Sequence, residues 1–299
     1  MKKLLTVLLT GIFAASMMTG CGSGDSGSST VSAEDPVPNV SAGADEISPA
    51  EPTAGNGATI TIGATPVPHV EILEVVKPVY EAMGYKMEIM EFTDYIQPNN
   101  AVSDGEIDAN FFQHQAYLDD FNEQNGSSLV TVLGVHYEPL GIYPGKTDSL
   151  DAIADGAQVA VPNDPTNEAR ALLLLEAQGL ITINPDAGLG ATIQDITENP
   201  KKLDFIELEA AQLARTLEDV DIAVINGNYA LQAGLNAATD ALAKEERDSE
   251  AAQRYTNVLV VNQGDENREE ITALVEAMNS DVVKTFIEEH YQGSVVSMM

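Results

Sequence analysis

The chain has 299 residues, 14 of them lysine or arginine and 47 aspartate or glutamate, for a net charge of −33. That balance excludes nucleic acid as a partner, since phosphates demand cationic patches, and it repels anionic lipid, so any membrane attachment has to be covalent. With a single cysteine, Cys21, neither disulfides nor a thiolate metal site can hold the fold, and no metal or cofactor is expected.

Lys2 and Lys3, the apolar run from Leu4 to Ala15 and the small residues Thr19 and Gly20 before Cys21 read as a bacterial secretory signal. Its apolar part is too short to span a bilayer. A cysteine directly after the cut makes it a lipoprotein signal, with residues 1–20 removed and Cys21 as the lipid-attachment residue. Acyl chains such as palmitate would hold the protein on the extracytoplasmic face of the cell membrane, each buried CH₂ contributing about 0.8 kcal/mol. An ordinary secretory signal with an incidental cysteine is the alternative, and Met18, where leucine is commoner, is the weak element. Residues 21–57 are mostly Gly, Ser, Ala, Pro, Asp and Glu. Such a composition cannot offset its ordering entropy and is expected to form a disordered tether.

From about Ala58 onward short β-rich apolar runs alternate with longer amphipathic segments, which predicts an α/β fold. In chain order the pattern predicts strand 59–63, helix 69–83, strand 86–91, helix 95–103, strand 109–112, helix 115–125 and strand 129–133. It continues with helix 149–154, strand 158–161, helix 165–178, strand 204–207, helix 209–217, strand 221–225, helix 229–233, strand 257–261 and helices 268–278 and 281–291. The extended stretch 134–143, with Pro139 inside it, is expected to cross between two lobes.

Three polar clusters fall at the carboxyl ends of predicted strands, where open α/β sheets place ligands. In the first, Asp164 suits an N-cap and Pro165 the first helical position, so a helix begins there with free N–H groups facing the cleft. Thr166, Asn167 and Arg170 share a face of it, and a guanidinium fork at a helix N-terminus is a carboxylate receptor. Arg170 as a surface residue paired with Glu168 or another acid is the competing reading. In the second cluster an extended 108–114 puts Asn110, Phe112 and His114 on one face, with Tyr95 and Tyr117 adding rings. An aromatic lining with one polar edge fits an apolar side chain or a thioether sulfur; a core Phe112 and a satisfied surface His114 would look the same. In the third, Asn226 and Asn228 follow a buried strand, where amide oxygens accept from an ammonium group or simply form a turn. Catalytic signatures are nearly absent: no His-Glu-x-x-His or Gly-x-Ser-x-Gly occurs, and GIYPGKT at 141–147 is one residue short of a phosphate loop, with a proline inside.

Seven blocks in one order closely resemble the NlpA family of methionine-binding lipoproteins that serve ABC importers. They are GATPVPH at 63–69, FTDYIQPN at 92–99, DANFFQH at 108–114, PNDPTNEAR at 162–170, DITENP at 195–200, ELEAAQL at 207–213 and INGNYA at 225–230. The resemblance implies a two-lobed periplasmic-binding-protein fold, type II-like, with two crossover hinge segments. Residues 58–142 and 251–299 would form lobe 1, and residues 143–250 lobe 2. It further implies a binding protein and not an enzyme, closing on methionine, L-methionine foremost, and delivering it to the permease and ATPase subunits of an ABC importer. Arg170 would take the ligand carboxylate with Asn167 beside it, Asn226 the α-amino group, and Tyr95, Phe112, His114 and Tyr117 the side chain. Ala116 and Ala169 depart from the proline and glycine of many members. A methionine-containing dipeptide or another amino acid on the same scaffold is the alternative, and a cell-surface enzyme the more distant one.

Overall fold

The computed structural model describes residues 55–246 and 253–299. The expected signal peptide at 1–20, Cys21, the tether at 21–57 apart from 55–57, and the 250/251 lobe boundary lie outside the described residues. The first half of the fold runs β1 (Thr59–Ala64), α1 (Glu71–Ala82), β2 (Lys86–Glu91), α2 (Gln97–Ser103), β3 (Ala109–His114), α3 (Gln115–Asn125) and β4 (Leu129–Tyr137). Then come β5 (Gly141–Pro144), β6 (Gln158–Pro162), α4 (Pro165–Ala177), β7 (Thr182–Ile183), β8 (Ile196–Glu198), β9 (Asp204–Leu208), α5 (Ala210–Leu213), β10 (Ile222–Ile225), α6 (Gly227–Gln232) and β11 (Ala243–Lys244). The chain closes with β12 (Thr256–Asn262), α7 (Glu269–Met278), α8 (Asp281–Tyr291) and β13 (Val296–Ser297).

Two principal sheets result. One has the order β13-β4-β12-β3-β1-β2, the other β11-β5-β10-β6-β9. In the first, β1 is parallel to β2 and β3 while β12 is antiparallel to β3 and β4; in the second, β6 is parallel to β9 and β10 while β5 is antiparallel to β10. The chain crosses from one sheet to the other through Glu138-Pro139-Leu140 and returns between Lys244 and Thr256. Two sheets joined by two crossings make the two-lobed α/β architecture that was expected.

Strand alternation builds a core on both faces of each sheet. In the second sheet Val159, Val161, Ile222 and Val224 pack with Leu172 and Leu175 of α4, while the intervening Ala160, Ala223 and Ile225 pack with Leu213 and Tyr229. In the first, Leu259 and Val261 join Ile60, Ile62 and the apolar stripe Ile72, Leu73, Val76 and Tyr80 of α1, whereas Val258 and Val260 meet Leu118 and Phe121 of α3. Among the described residues no helix is long and apolar enough to cross a membrane.

Several element ends differ from expectation for local reasons. Helix α2 starts at Gln97, not at residue 95, because Asp94 Oδ1 accepts from the N–H of both Ile96 and Gln97 and holds residues 94–96 in a turn ahead of the helix. Helix α1 starts at Glu71 because Pro66 and Pro68 occupy a separate turn before it. Residues 134–137 are not part of the crossing: they extend β4, paired to β12 and β13, which shortens the crossing to three residues. The GIYPGKT segment is strand β5 and its exit turn, and Gly145 sits so close to the carbonyl oxygens of Leu217 and Val220 that only a residue without Cβ fits.

Candidate functional site

A narrow cavity lies between the two sheets, lined by Tyr95, Phe112, Gln113, His114, Tyr117, Glu138, Asn167, Arg170, Asn226, Gly227, Asn228 and Asn257. The seven residues to which the resemblance gives a ligand role, Tyr95, Phe112, His114, Tyr117, Asn167, Arg170 and Asn226, are on this wall, and Thr166, grouped with them by helix spacing, is not. Nor is Asn110. Strand β3 slips register against β12 between Val258 and Leu259, opposite Phe112, and this irregularity breaks strict alternation so that Phe112, Gln113 and His114 all reach the cavity. Asn110 instead joins a buried amide network in which Asn99 Oδ1 accepts from Asn110 Nδ2 at 2.8 Å and from Gln113 Nε2 at 2.6 Å.

Helix α4 begins as its residues dictate, with Pro165 in its first turn and Asp164 as N-cap. The Asn167 and Glu168 amides are not free, however. Asp164 Oδ1 accepts from the Asn167 backbone N–H at 3.0 Å and from Asn167 Nδ2 at 2.8 Å, so the cap carboxylate occupies the position an anion would take. Glu168 is likewise not the partner of Arg170, since its Oε1 accepts from the Ile193 N–H.

Arg170 is only 4% exposed and pairs with an acid from 75 residues further on: Nε donates to Glu245 Oε1 at 2.8 Å and Nη2 to Glu245 Oε2 at 2.6 Å. Nη2 also donates to the Glu138 carbonyl at 2.8 Å, and the Tyr255 ring lies 4.2 Å from the guanidinium carbon. Burial opposes the charge on Arg170, but the Glu245 carboxylate outweighs it and holds the pKa above its ordinary value. Burial also works against ionisation of Glu245, yet Arg170 and donors from Tyr137 and Leu140 keep that carboxyl below its usual range.

Asn167 is the junction of the opposite corner. Its Oδ1 accepts from His114 Nε2 at 3.1 Å and from Asn226 Nδ2 at 2.7 Å. Since His114 Nδ1 accepts from the Tyr117 backbone N–H, the imidazole is the neutral Nε2–H tautomer. Burial first, then the Arg170 charge, lower its pKa to about 3, so His114 presents an uncharged ring beside Phe112, Tyr95 and Tyr117.

Two side-chain atoms on this wall are buried with no hydrogen-bond partner among the described residues: the acceptor Asn226 Oδ1 and the donor Asn228 Nδ2. Asn228 belongs to the first turn of α6, not to a simple turn, and its Oδ1 accepts from the Tyr95 hydroxyl at 2.5 Å. Glu138, to which the sequence pattern drew no attention, is the one carboxylate on the wall among the described residues; burial raises its pKa against the opposing effects of His69, Arg170 and the Asn228 N–H. Its signal was an ionisable residue inside the apolar stretch 134–143. Behind it His69, His136 and Glu138 place ligating atoms within 4.8 Å of one another, a grouping that could hold a metal ion. The expectation of no metal rested on the single cysteine and on the lack of a His-Glu-x-x-His motif, and folding joins these residues from two distant segments. Hydrogen bonds engage them: His69 Nε2 donates to Asn257 Oδ1, its Nδ1 accepts from Thr65 Oγ1, and His136 Nε2 donates to Glu138 Oε1.

A sequence model of the NlpA lipoprotein family matches residues 60–299. The D-methionine-binding lipoprotein MetQ of Escherichia coli strain K12 is 42% identical over 229 residues, which are 76% of this chain and 83% of that protein. Among solved structures, a nutrient binding protein from Burkholderia cenocepacia bound to methionine has a TM-score of 0.77 at 45% identity, covering 80% of this chain and 100% of that one. An ABC transporter periplasmic substrate-binding protein from Coxiella burnetii has a TM-score of 0.75 at 40% identity, covering 80% of this chain and 99% of that one.

Proposed function

Since the chain belongs to the NlpA lipoprotein family, we propose that it is an extracytoplasmic substrate-binding lipoprotein that captures methionine between its lobes and delivers it to an ABC importer. The observation that carries this reading is the pairing of opposite polarities on one small wall. Arg170 and the orphaned Asn228 Nδ2 offer donors, Glu138 and the orphaned Asn226 Oδ1 offer acceptors, and neutral rings from Phe112, Tyr95, Tyr117 and His114 close the rest. That is the complement of a zwitterion with an apolar side chain. In this reading Arg170 takes the carboxylate with Asn167 beside it, Asn226 and Glu138 take the ammonium group, and the rings take the thioether.

In this reading the lobes follow the sheets, β1 to β4 with β12 and β13 in one and β5, β6, β9, β10 and β11 in the other, so the first boundary falls at the crossing 138–140 and not after residue 142, which lies inside β5. Bonds already cross the cleft from Tyr95 to Asn228, from His114 to Asn167 and from Tyr229 to the Thr93 carbonyl. A ligand touching both walls adds its differential affinity to these and favours the closed form. Cys21 carries the lipid anchor, residues 22–57 the tether, and the permease and ATPase subunits of the importer are the partners. Binding, with no chemical conversion, is the activity.

A second, solvent-open pocket beside the first shares Tyr95 and Tyr117 with it and is lined further by Asp94, Asp164, Glu209 and Tyr229. A second pocket adjacent to the first is what the other residue of a methionine-containing dipeptide would need, and that is the second reading. Titration calorimetry with L-methionine, D-methionine, methionine dipeptides and other amino acids separates these ligands. Arg170→Ala and Asn226→Ala are expected to abolish methionine binding with the fold retained, and unchanged affinity in either would sink the site assignment.

A further inference from the structure

Glu245 stands outside the ligand cavity and was invisible in the sequence, yet it binds three segments that have to move together. Its carboxylate receives Arg170 Nε and Nη2 from α4, the Tyr137 hydroxyl at 2.7 Å from the end of β4, and the Leu140 backbone N–H at 2.9 Å from the first crossing. Its own backbone N–H donates to the Leu140 carbonyl at 3.0 Å, so the second crossing is stitched to the first at this residue. Arg170 also reaches the first crossing directly, through the Glu138 carbonyl. Of the guanidinium donors, Nε and Nη2 are committed to these protein oxygens, which leaves Nη1 as the edge that can donate to a ligand oxygen.

From this arrangement we infer that Glu245 is a positioning residue for ligand capture. It fixes the plane of the Arg170 guanidinium relative to both crossings, so that the arginine presents its remaining edge to the ligand carboxylate only when the two crossings hold the geometry seen here. The physical basis is that a bidentate fork constrains both the position and the rotation of a planar cation, which a single bond does not. Without it a buried arginine would be free to tilt toward the Glu138 carboxylate on the cavity wall, neutralising the acceptor reserved for the ammonium group. The inference rests on the proposed carboxylate role of Arg170.

The test compares two probes, L-methionine and methioninamide, which differ only at the carboxylate, on the full protein by calorimetric competition. In the native protein methionine is expected to bind more tightly than the amide. Glu245→Gln should shrink that preference by roughly tenfold or more, because the effect runs through the group that reads the carboxylate. A merely structural role for Glu245 would weaken both probes alike and leave their ratio unchanged, and that result would overturn the inference, as would full retention of methionine affinity. Should Glu245→Gln fail to fold, Glu245→Asp carries the same test, since it keeps the charge and withdraws the fork by one methylene. Arg170→Ala identifies which idea fails. Loss of methionine binding in Arg170→Ala with the full preference kept in the Glu245 variant refutes the positioning role alone, whereas an Arg170→Ala protein that still binds methionine in preference to the amide refutes the carboxylate role on which it rests.

Discussion

Asn167 is 1% exposed and its side-chain oxygen is the common acceptor for His114 Nε2 and Asn226 Nδ2, one from each side of the cleft. Asn167→Leu keeps the volume and removes the acceptor. Each buried donor left unpaired costs about 1–3 kcal/mol, so the two together destabilise by roughly 2–6 kcal/mol. The backbone N–H at 167 still reaches Asp164, so α4 keeps its cap and the loss stays within the network. For a protein of this size that corresponds to a fall in melting temperature on the order of 10 °C. Urea unfolding followed by circular dichroism measures the first quantity, and calorimetry with methionine should show a parallel loss of affinity, since Asn226 is no longer held. Stability within about 0.5 kcal/mol of the native protein together with unchanged affinity would refute the reasoning, since it would mean that the two donors find other partners or are not buried in solution.

His114 has a pKa of about 3 in the folded protein against an ordinary 6.5, so the native state refuses a proton that the unfolded chain accepts. Its contribution is intact above pH 6.5 and is lost by about 1.4 kcal/mol per unit as the pH falls toward 3. His114→Gln lacks this slope, so the stability gap between the two proteins, read by urea unfolding at pH 7 and pH 5.5, should change by about 1–2 kcal/mol; parallel pH curves would contradict the neutral ring. Gly145→Ala would drive a methyl into the carbonyl oxygens of Val220 and Leu217, and a loss of about 1–3 kcal/mol should appear as a lower urea midpoint. Tyr95→Phe removes the hydroxyl bonded to Asn228 across the cleft, and methionine affinity should fall about five- to thirty-fold by calorimetry with the fold unchanged.

The elements written in local periodicity and punctuation were legible in advance. Helices at 115–125 and 281–291 and the strand at 86–91 coincide with expectation, because each carries an amphipathic stripe or β-rich run and clear end signals. The short strands β5, β7, β8, β11 and β13 were not seen, since two to four residues hold no period and become strands only through a partner supplied elsewhere. The site divides in the same way. Arg170, Asn167 and Asn226 stood out because each sits at a predicted strand end or helix start, where ligands gather. Glu245 lies in the charged run Lys244-Glu245-Glu246-Arg247, which reads as solvated surface, and nothing near it hints at burial.

Composition and local pattern were therefore enough to determine the class of the chain: an acidic, single-cysteine α/β protein whose polar side chains gather at strand ends. What tertiary structure alone decided is which partner each of those side chains has. Whether Asp164 caps its own helix or leaves it open to an anion, whether Arg170 faces Glu168 or Glu245, and whether Asn110 or Gln113 reaches the cavity all turn on contacts between segments many residues apart. Hydrogen bonds reach only about 3 Å, so such pairings exist only after the chain has closed.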